Sequence, residues 1–193
     1  MKTLKTLVAC SVLLSSVVAL AQDSQPTYSR YRTNWYIGFG LGGGGAIEDV
    51  DGSVVEEFRG GVSFMFKVGG VLSPEWLLGY EVGAVGVFQE IAGQEYQYTI
   101  QHHNCVVTWF PLADQGLFLK AGVGLAARSF HLKDTPTQDR KFITGFNTQL
   151  GIGVEFQLTR SFNLGVEVNS SVSALEDERI VNDAYGMLTF SWY

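Results

Sequence analysis

Three absences bound this 193-residue chain before any motif is considered. It has only 2 cysteines, Cys10 and Cys105. The first lies in a segment that reads as a cleaved leader, so one cysteine remains and an internal disulfide is excluded. A basic cluster is also missing. Lys and Arg number 13 against 19 Asp and Glu, a formal net charge of −6, which argues against nucleic acid as a partner. Past the leader, no apolar run is long enough for a spanning helix. What the chain has instead is glycine, 23 of them, and 13% aromatics.

Residues 1–21 read as an export signal. Lys2 and Lys5 supply the positive start, 7–20 form an apolar run softened by serines, and Ala19-Leu20-Ala21 is a small-x-small cleavage site before Gln22. The run is short for a membrane anchor and lacks stop-transfer charges. Leu7-Val8-Ala9-Cys10 resembles a lipobox, but most of the apolar run follows Cys10 rather than preceding it. Cleavage takes away two lysines and no acid, leaving 11 basic and 19 acidic side chains and a net charge of −8. Residues 22–33 are polar and read as a flexible periplasmic lead. Residues 34–193 form one domain.

The clearest pattern in that domain is Leu150-Gly151-Ile152-Gly153-Val154-Glu155-Phe156-Gln157-Leu158. Every even position is large and apolar; every odd one is glycine or polar. This is a strand of period two. Glycine covers a solvated strand face poorly, so the pattern makes better sense inside out: apolar row toward lipid, small and polar row toward a narrow lumen. The same alternation marks Trp35–Gly42, Val62–Val68, Leu78–Ala84, Leu117–Leu125, Phe162–Asn169 and the last residues, where Leu188, Phe190 and Trp192 share a face. The stretch 96–110 is less regular, and Cys105, Val107 and Trp109 are placed toward lipid. Eight strands result, predicting an all-β, eight-stranded antiparallel up-and-down transmembrane β-barrel.

The connections alternate in length. Those at Leu72-Ser73-Pro74-Glu75, 111–116 and Thr159-Arg160-Ser161 are short, whereas 44–57, 86–95, 129–140 and 171–182 read as long polar loops. Short turns belong to the periplasm and long loops to the outside. Trp35, Trp76, Trp109 and Trp192 then all fall at the periplasmic ends, as one belt of amphipathic rings.

With these features the chain resembles the OmpA/OmpX-type eight-stranded outer-membrane barrels. Trp35-Tyr36-Ile37-Gly38-Phe39-Gly40-Leu41-Gly42, Leu119-Lys120-Ala121-Gly122-Val123-Gly124 and the terminal Gly186-Met187-Leu188-Thr189-Phe190-Ser191-Trp192-Tyr193 carry the likeness. One departure is that the apolar row ends on the penultimate Trp192. The resemblance implies location in the bacterial outer membrane and recognition of the C-terminal strand by the barrel-assembly machinery. It also implies contact with outer-membrane lipid and lipopolysaccharide, in a barrel-only member without a peptidoglycan-binding domain.

An eight-stranded barrel is just wide enough inside for side chains. Inward glycines such as Gly38, Gly40, Gly79, Gly151 and Gly153 leave space for longer inward neighbours: Lys67, Glu81, Lys120, Glu155 and Glu167. Lys67 and Glu81 are equidistant from Pro74 and are expected to face and pair. Lys120 is expected to serve Glu155 and Glu167. The layer is read as a structural plug. The alternative is a gate, in which a swap of partners opens a thin water path; the resembled family implies that alternative.

Catalytic and cofactor signals are weak. His102 and His103 are adjacent in a strand and must face opposite ways, so they neither share a site nor form a chelating pair. With His131 they lack serine or acid partners at an identifying spacing for a lipid A-modifying enzyme. Cys105 reads as an apolar filler. The acidic loop with Glu48, Asp49, Asp51, Glu56 and Glu57 lacks calcium-loop spacing, and Gly42–Gly45 opens no helix. No cofactor or metal is expected. The leading function is a non-enzymatic barrel serving envelope integrity or surface interaction through its external loops. A narrow gated pore and a lipid A-modifying enzyme are the alternatives. A soluble barrel of the lipocalin kind is disfavoured by the outward apolar rows.

Overall fold

A computed structural model describes residues 32, 34–112 except 51–52 and 92–93, 115–132, 142–177 and 179–193. The export signal, and all of 22–33 except Arg32, lie outside the described residues. So does Asp51, as do the side chains of Glu48, Asp49, Glu56, Glu57 and His131.

Eight strands follow in chain order: β1 Trp35–Val50, β2 Ser53–Ser73, β3 Trp76–Ile91, β4 Gln94–Leu112, β5 Leu117–Leu132, β6 Phe142–Gln157, β7 Phe162–Leu175 and β8 Ile180–Trp192. Each pairs antiparallel with its sequence neighbour, and β1 pairs with β8 to close the barrel. Closure removes every free edge within the paired region.

The barrel is inside out. Leu150 is 68% exposed on the outer wall, whereas its neighbour Gln149 is 2% exposed inside. Cys105, Val107 and Trp109 face outward and His102, Asn104 and Val106 inward, so β4 keeps the same alternation. Tight turns close one end. At Pro74 the Ser73 hydroxyl donates to Glu75 Oε2 (2.8 Å) and accepts from the Glu75 amide (3.3 Å). Gly116 takes φ 69°, a left-handed conformation that glycine adopts without strain, and its carbonyl accepts from the Glu155 amide at 2.9 Å.

The expected long loops are shorter than the sequence suggested. Most of 44–57 is strand: Glu48 pairs with Val55 and Val50 with Ser53. Likewise Glu90 pairs with Glu95 and Ile91 with Gln94. Beyond the lipid neither face need be apolar, so period two vanishes from the sequence while the main-chain ladder continues. A 21-residue β2 rises about 55 Å at ordinary rise and tilt, and a 14-residue β7 about 36 Å, against an apolar band about 25 Å tall. Pairing between β2 and β3 ends at Gly61 opposite Val87, so the β1–β2 and β3–β4 hairpins part above that level.

The lumen is filled in storeys. Tyr36, Leu77, Phe110 and Phe118 form an apolar floor at the short-turn end. A second apolar cluster, including Met65, Val85, Val87, Ile100, Leu175 and Val181, lies toward the other end. Polar side chains occupy the space between.

Candidate functional site: the charged storey of the lumen

The inward rows bring Lys67, Glu81, Lys120, Glu155 and Glu167 together, buried or nearly so. Lys67 and Glu81 stand opposite each other in the ladder. Their charges go elsewhere, which corrects the expected Lys67–Glu81 pair. Lys67 Nζ lies 3.7 Å from Glu155 Oε1 and 3.8 Å from Glu167 Oε2. The reason is steric. On its other side Lys67 faces Gly38 of β1, and a Cβ there would come within 2.9 Å of the Lys67 Cε. The glycine opens that side, and the chain of Lys67 lies over it, away from β3.

Lys120 likewise crosses Gly151, where a Cβ would come within 2.7 Å of its Cε. Its Nζ donates to both Glu81 oxygens (3.0 and 2.7 Å) and to Glu167 Oε1 (2.8 Å). The expected service to Glu155 is not made. Glu155 instead accepts from Ser191 Oγ (3.1 Å), Asn163 Nδ2 (3.3 Å) and the Tyr193 hydroxyl (2.8 Å). Tyr193 thus turns into the lumen, which is why the lipid-facing row ends on Trp192.

Sequence reasoning missed Arg32, the one described residue of the segment 22–33. It is 3% exposed, folded under the barrel mouth. Its guanidinium lies 3.5 Å over the Phe110 ring, Nη2 is 3.9 Å from Glu155 Oε2, and Nη1 donates to the Pro74 carbonyl at 3.4 Å. With Arg32 the storey holds three cations and three carboxylates, where the five expected residues left one negative charge over. Burying charges is costly unless opposite signs balance, and with Arg32 they do. No periodic signal marks Arg32, because it precedes the first strand; the unbalanced charge was the available hint.

Next to the charges runs an amide ladder that sequence reasoning also passed over. Gln149 Nε2 donates to Glu81 Oε1 (2.7 Å), Asn104 Nδ2 to Gln149 Oε1 (2.6 Å), and Asn147 Nδ2 to Asn104 Oδ1 (3.0 Å). His102 points inward, with Nε2 3.1 Å from Asp183 Oδ2. His103 points outward to Tyr80. The space left around the charges is about 10 Å³, room for roughly one water.

The tryptophans share the short-turn end of the outer wall. Trp76 and Trp109 are ladder partners and stack at 5.7 Å; Trp192 stacks on Phe39 at 5.7 Å, and Trp35 stands 62% exposed.

An apolar outer wall, a packed polar lumen and an aromatic rim describe a protein built for lipid. The family model for the outer membrane protein beta-barrel domain matches residues 7–186. The chain belongs to the outer-membrane β-barrel family. A search of curated proteins found no match. Among solved structures, this outer-membrane barrel is similar to Neisserial surface protein A (NspA): TM-score 0.57, 9% identity, covering 82% of this chain and 96% of that one. It is also similar to Ail, the attachment invasion locus protein of Yersinia pestis: TM-score 0.50, 12% identity, covering 83% and 99%. At such identities the likeness is one of fold. The OmpA/OmpX-type resemblance fits, and the barrel resides in the bacterial outer membrane.

Proposed function

We propose that this barrel works by its surfaces and not through its lumen: it strengthens the envelope and presents the β1–β2 and β3–β4 hairpins to surface partners. The carrying observation is the filled interior. A charge-balanced storey leaves about 10 Å³ of free space, and an apolar cluster stands between it and the outside. A partner swap among the carboxylates would leave that cluster in place, which weighs against the gated pore. The strand extensions supply the presenting surface, since they rise well past the apolar band. NspA is by name a surface protein, and Ail has been determined with the heparin analogue sucrose octasulfate. The acidity of this chain, net −6, favours partners other than polyanions. Its outer wall contacts outer-membrane lipid and lipopolysaccharide, with the tryptophans in the inner interface, and β8 carries the signal read by the assembly machinery.

Planar-bilayer recording combined with surface labelling tests this reading. The wild type and Glu81→Gln are expected to give no discrete conductance. An epitope inserted between residues 51 and 52 is expected to bind antibody on intact cells. Stepwise channels in the wild type, or an epitope hidden until the cells are opened, sink the proposal.

A further inference from the structure

One polar pair on the outer wall is not used by the lumen. Tyr80 of β3 and His103 of β4 both face outward and are diagonal neighbours, Tyr80 lying opposite Cys105 and His103 opposite Val82. Tyr80 Oη is 2.7 Å from His103 Nδ1. Counted up β4 from Trp109, His103 stands about 16 Å above the tryptophan rim, within an apolar band about 25 Å tall.

A neutral imidazole carries one N–H and a phenol one O–H. Their mutual bond consumes one of these donors. Whichever tautomer holds, the other has no acceptor among the described residues and points at hydrocarbon, where an unmatched donor is costly. Lipid carbonyls lie at the edges of the apolar band, not at this depth. Beside the pair the wall is hollowed. Ala121 and Cys105 lie low between Leu78 and Leu150, leaving a depression of about 530 Å³. Between membrane-spanning helices, small residues permit close approach and polar side chains bond across; the same two features meet on this wall.

We propose that a second copy of this chain seats on the β3–β4 face about a two-fold axis, with Tyr80 and His103 of both copies closing one ring of hydrogen bonds. Within each copy the Tyr80 O–H donates to its own His103 Nδ1. Each His103 Nε2–H donates to the oxygen of the partner copy's Tyr80, which still has a lone pair. Four bonds use all four donors. The contact is self-complementary, as two-fold symmetry requires, because each tyrosine meets the other copy's histidine. The low floor at Cys105 receives Leu78 of the other copy, which the two-fold axis sets against β4.

The chain carries its own reporter. Cys105 is exposed, is the ladder partner of Tyr80, and is the one cysteine left after the leader. Short thiol cross-linking in isolated outer membranes, with sedimentation equilibrium of the purified full chain in density-matched detergent, tests the proposal. The wild type is expected to cross-link as a dimer and to sediment as one. His103→Phe, still folded by its heat-modifiable migration, is expected to lose dimer about tenfold, the worth of one or two hydrogen bonds, and Tyr80→Phe likewise. Cys105→Ser combined with Leu188→Cys moves the thiol to β8 and is expected not to cross-link. A wild type that is monomeric on both readouts overturns the proposal, as does one that holds a lipid in the depression instead. Equal cross-linking by His103→Phe, or by the β8 thiol, overturns it too.

Discussion

Lys67 and Glu81 are direct ladder partners whose charges are spent on other residues. Lys67 reaches back over Gly38 toward Glu155 and Glu167, while Glu81 is held by Lys120 from across the lumen. Register therefore fixes which residues share a level, and the position of a glycine fixes which way a long side chain leans.

This separates two double-mutant cycles. Lys120→Met and Glu81→Gln remove a directly bonded pair, so their effects on unfolding free energy are expected to couple by about 2 kcal/mol. Lys67→Met and Glu81→Gln remove no common bond and are linked only through Glu167 and Lys120, so they are expected to couple more weakly, by about 0.5 kcal/mol. Urea unfolding in lipid vesicles, followed by tryptophan fluorescence, measures both. A large coupling for the Lys67–Glu81 cycle would contradict the partner assignment seen here.

Arg32 gives the second prediction. It is the third cation of the storey and it stacks on Phe110, so Arg32→Ala strands Glu155 with less positive charge in a buried place. The loss is expected to be about 3 kcal/mol, as for a broken buried pair. Glu155→Gln in the same chain is expected to recover part of that loss, because it removes the stranded anion. Arg32→Lys is expected to recover little, since an ammonium does not reproduce the flat stacking surface of a guanidinium. The urea midpoints of the three variants order these outcomes. An unchanged midpoint for Arg32→Ala means that the segment before β1 does not hold the storey together.

How far the sequence carried these features depends on which solvent each residue meets. Where an outward side chain faces lipid and its neighbours face the lumen, two opposed environments write period two into the chain, and the rows through Leu150 or Val166 could be read directly. The upper halves of β1 to β4 stand in water on the outside, so Glu48 opposite Val55 leaves no such mark, and a ladder passed for a loop. In the lumen, the five charged residues were visible because charge among inward glycines is conspicuous. Asn104, Asn147 and Gln149 carry no charge to single them out in the sequence, although their amides chain Glu81 to the upper storey. The partner choices of the lysines depend on three-dimensional lean, which spacing alone does not encode. Arg32 lay outside every strand, and only the charge left over among the other five pointed to a missing cation.

Tyr193 yields a pH prediction. Burial, and then the charge of Glu155 beside it, push its phenol well above the ordinary value near 10. The folded chain therefore keeps the proton that the unfolded chain releases above about pH 10. For a group raised in this way, the stabilisation is complete below the unfolded value and is lost as pH climbs from about 10 toward the folded one. The neutral phenol is also what donates to Glu155, so its loss would set two negative groups against each other at 2.8 Å. Tyr193→Phe is expected to be less stable than the wild type at pH 7, by about 1–3 kcal/mol for a hydrogen bond to a charged group. Between pH 10 and 12 the gap is expected to narrow, because the wild type alone then loses the contribution of this phenol. Unfolding midpoints at pH 7, 9, 10.5 and 12 in the same vesicles show the convergence. A gap that stays constant across the series means that the Tyr193 proton does not contribute to alkaline stability.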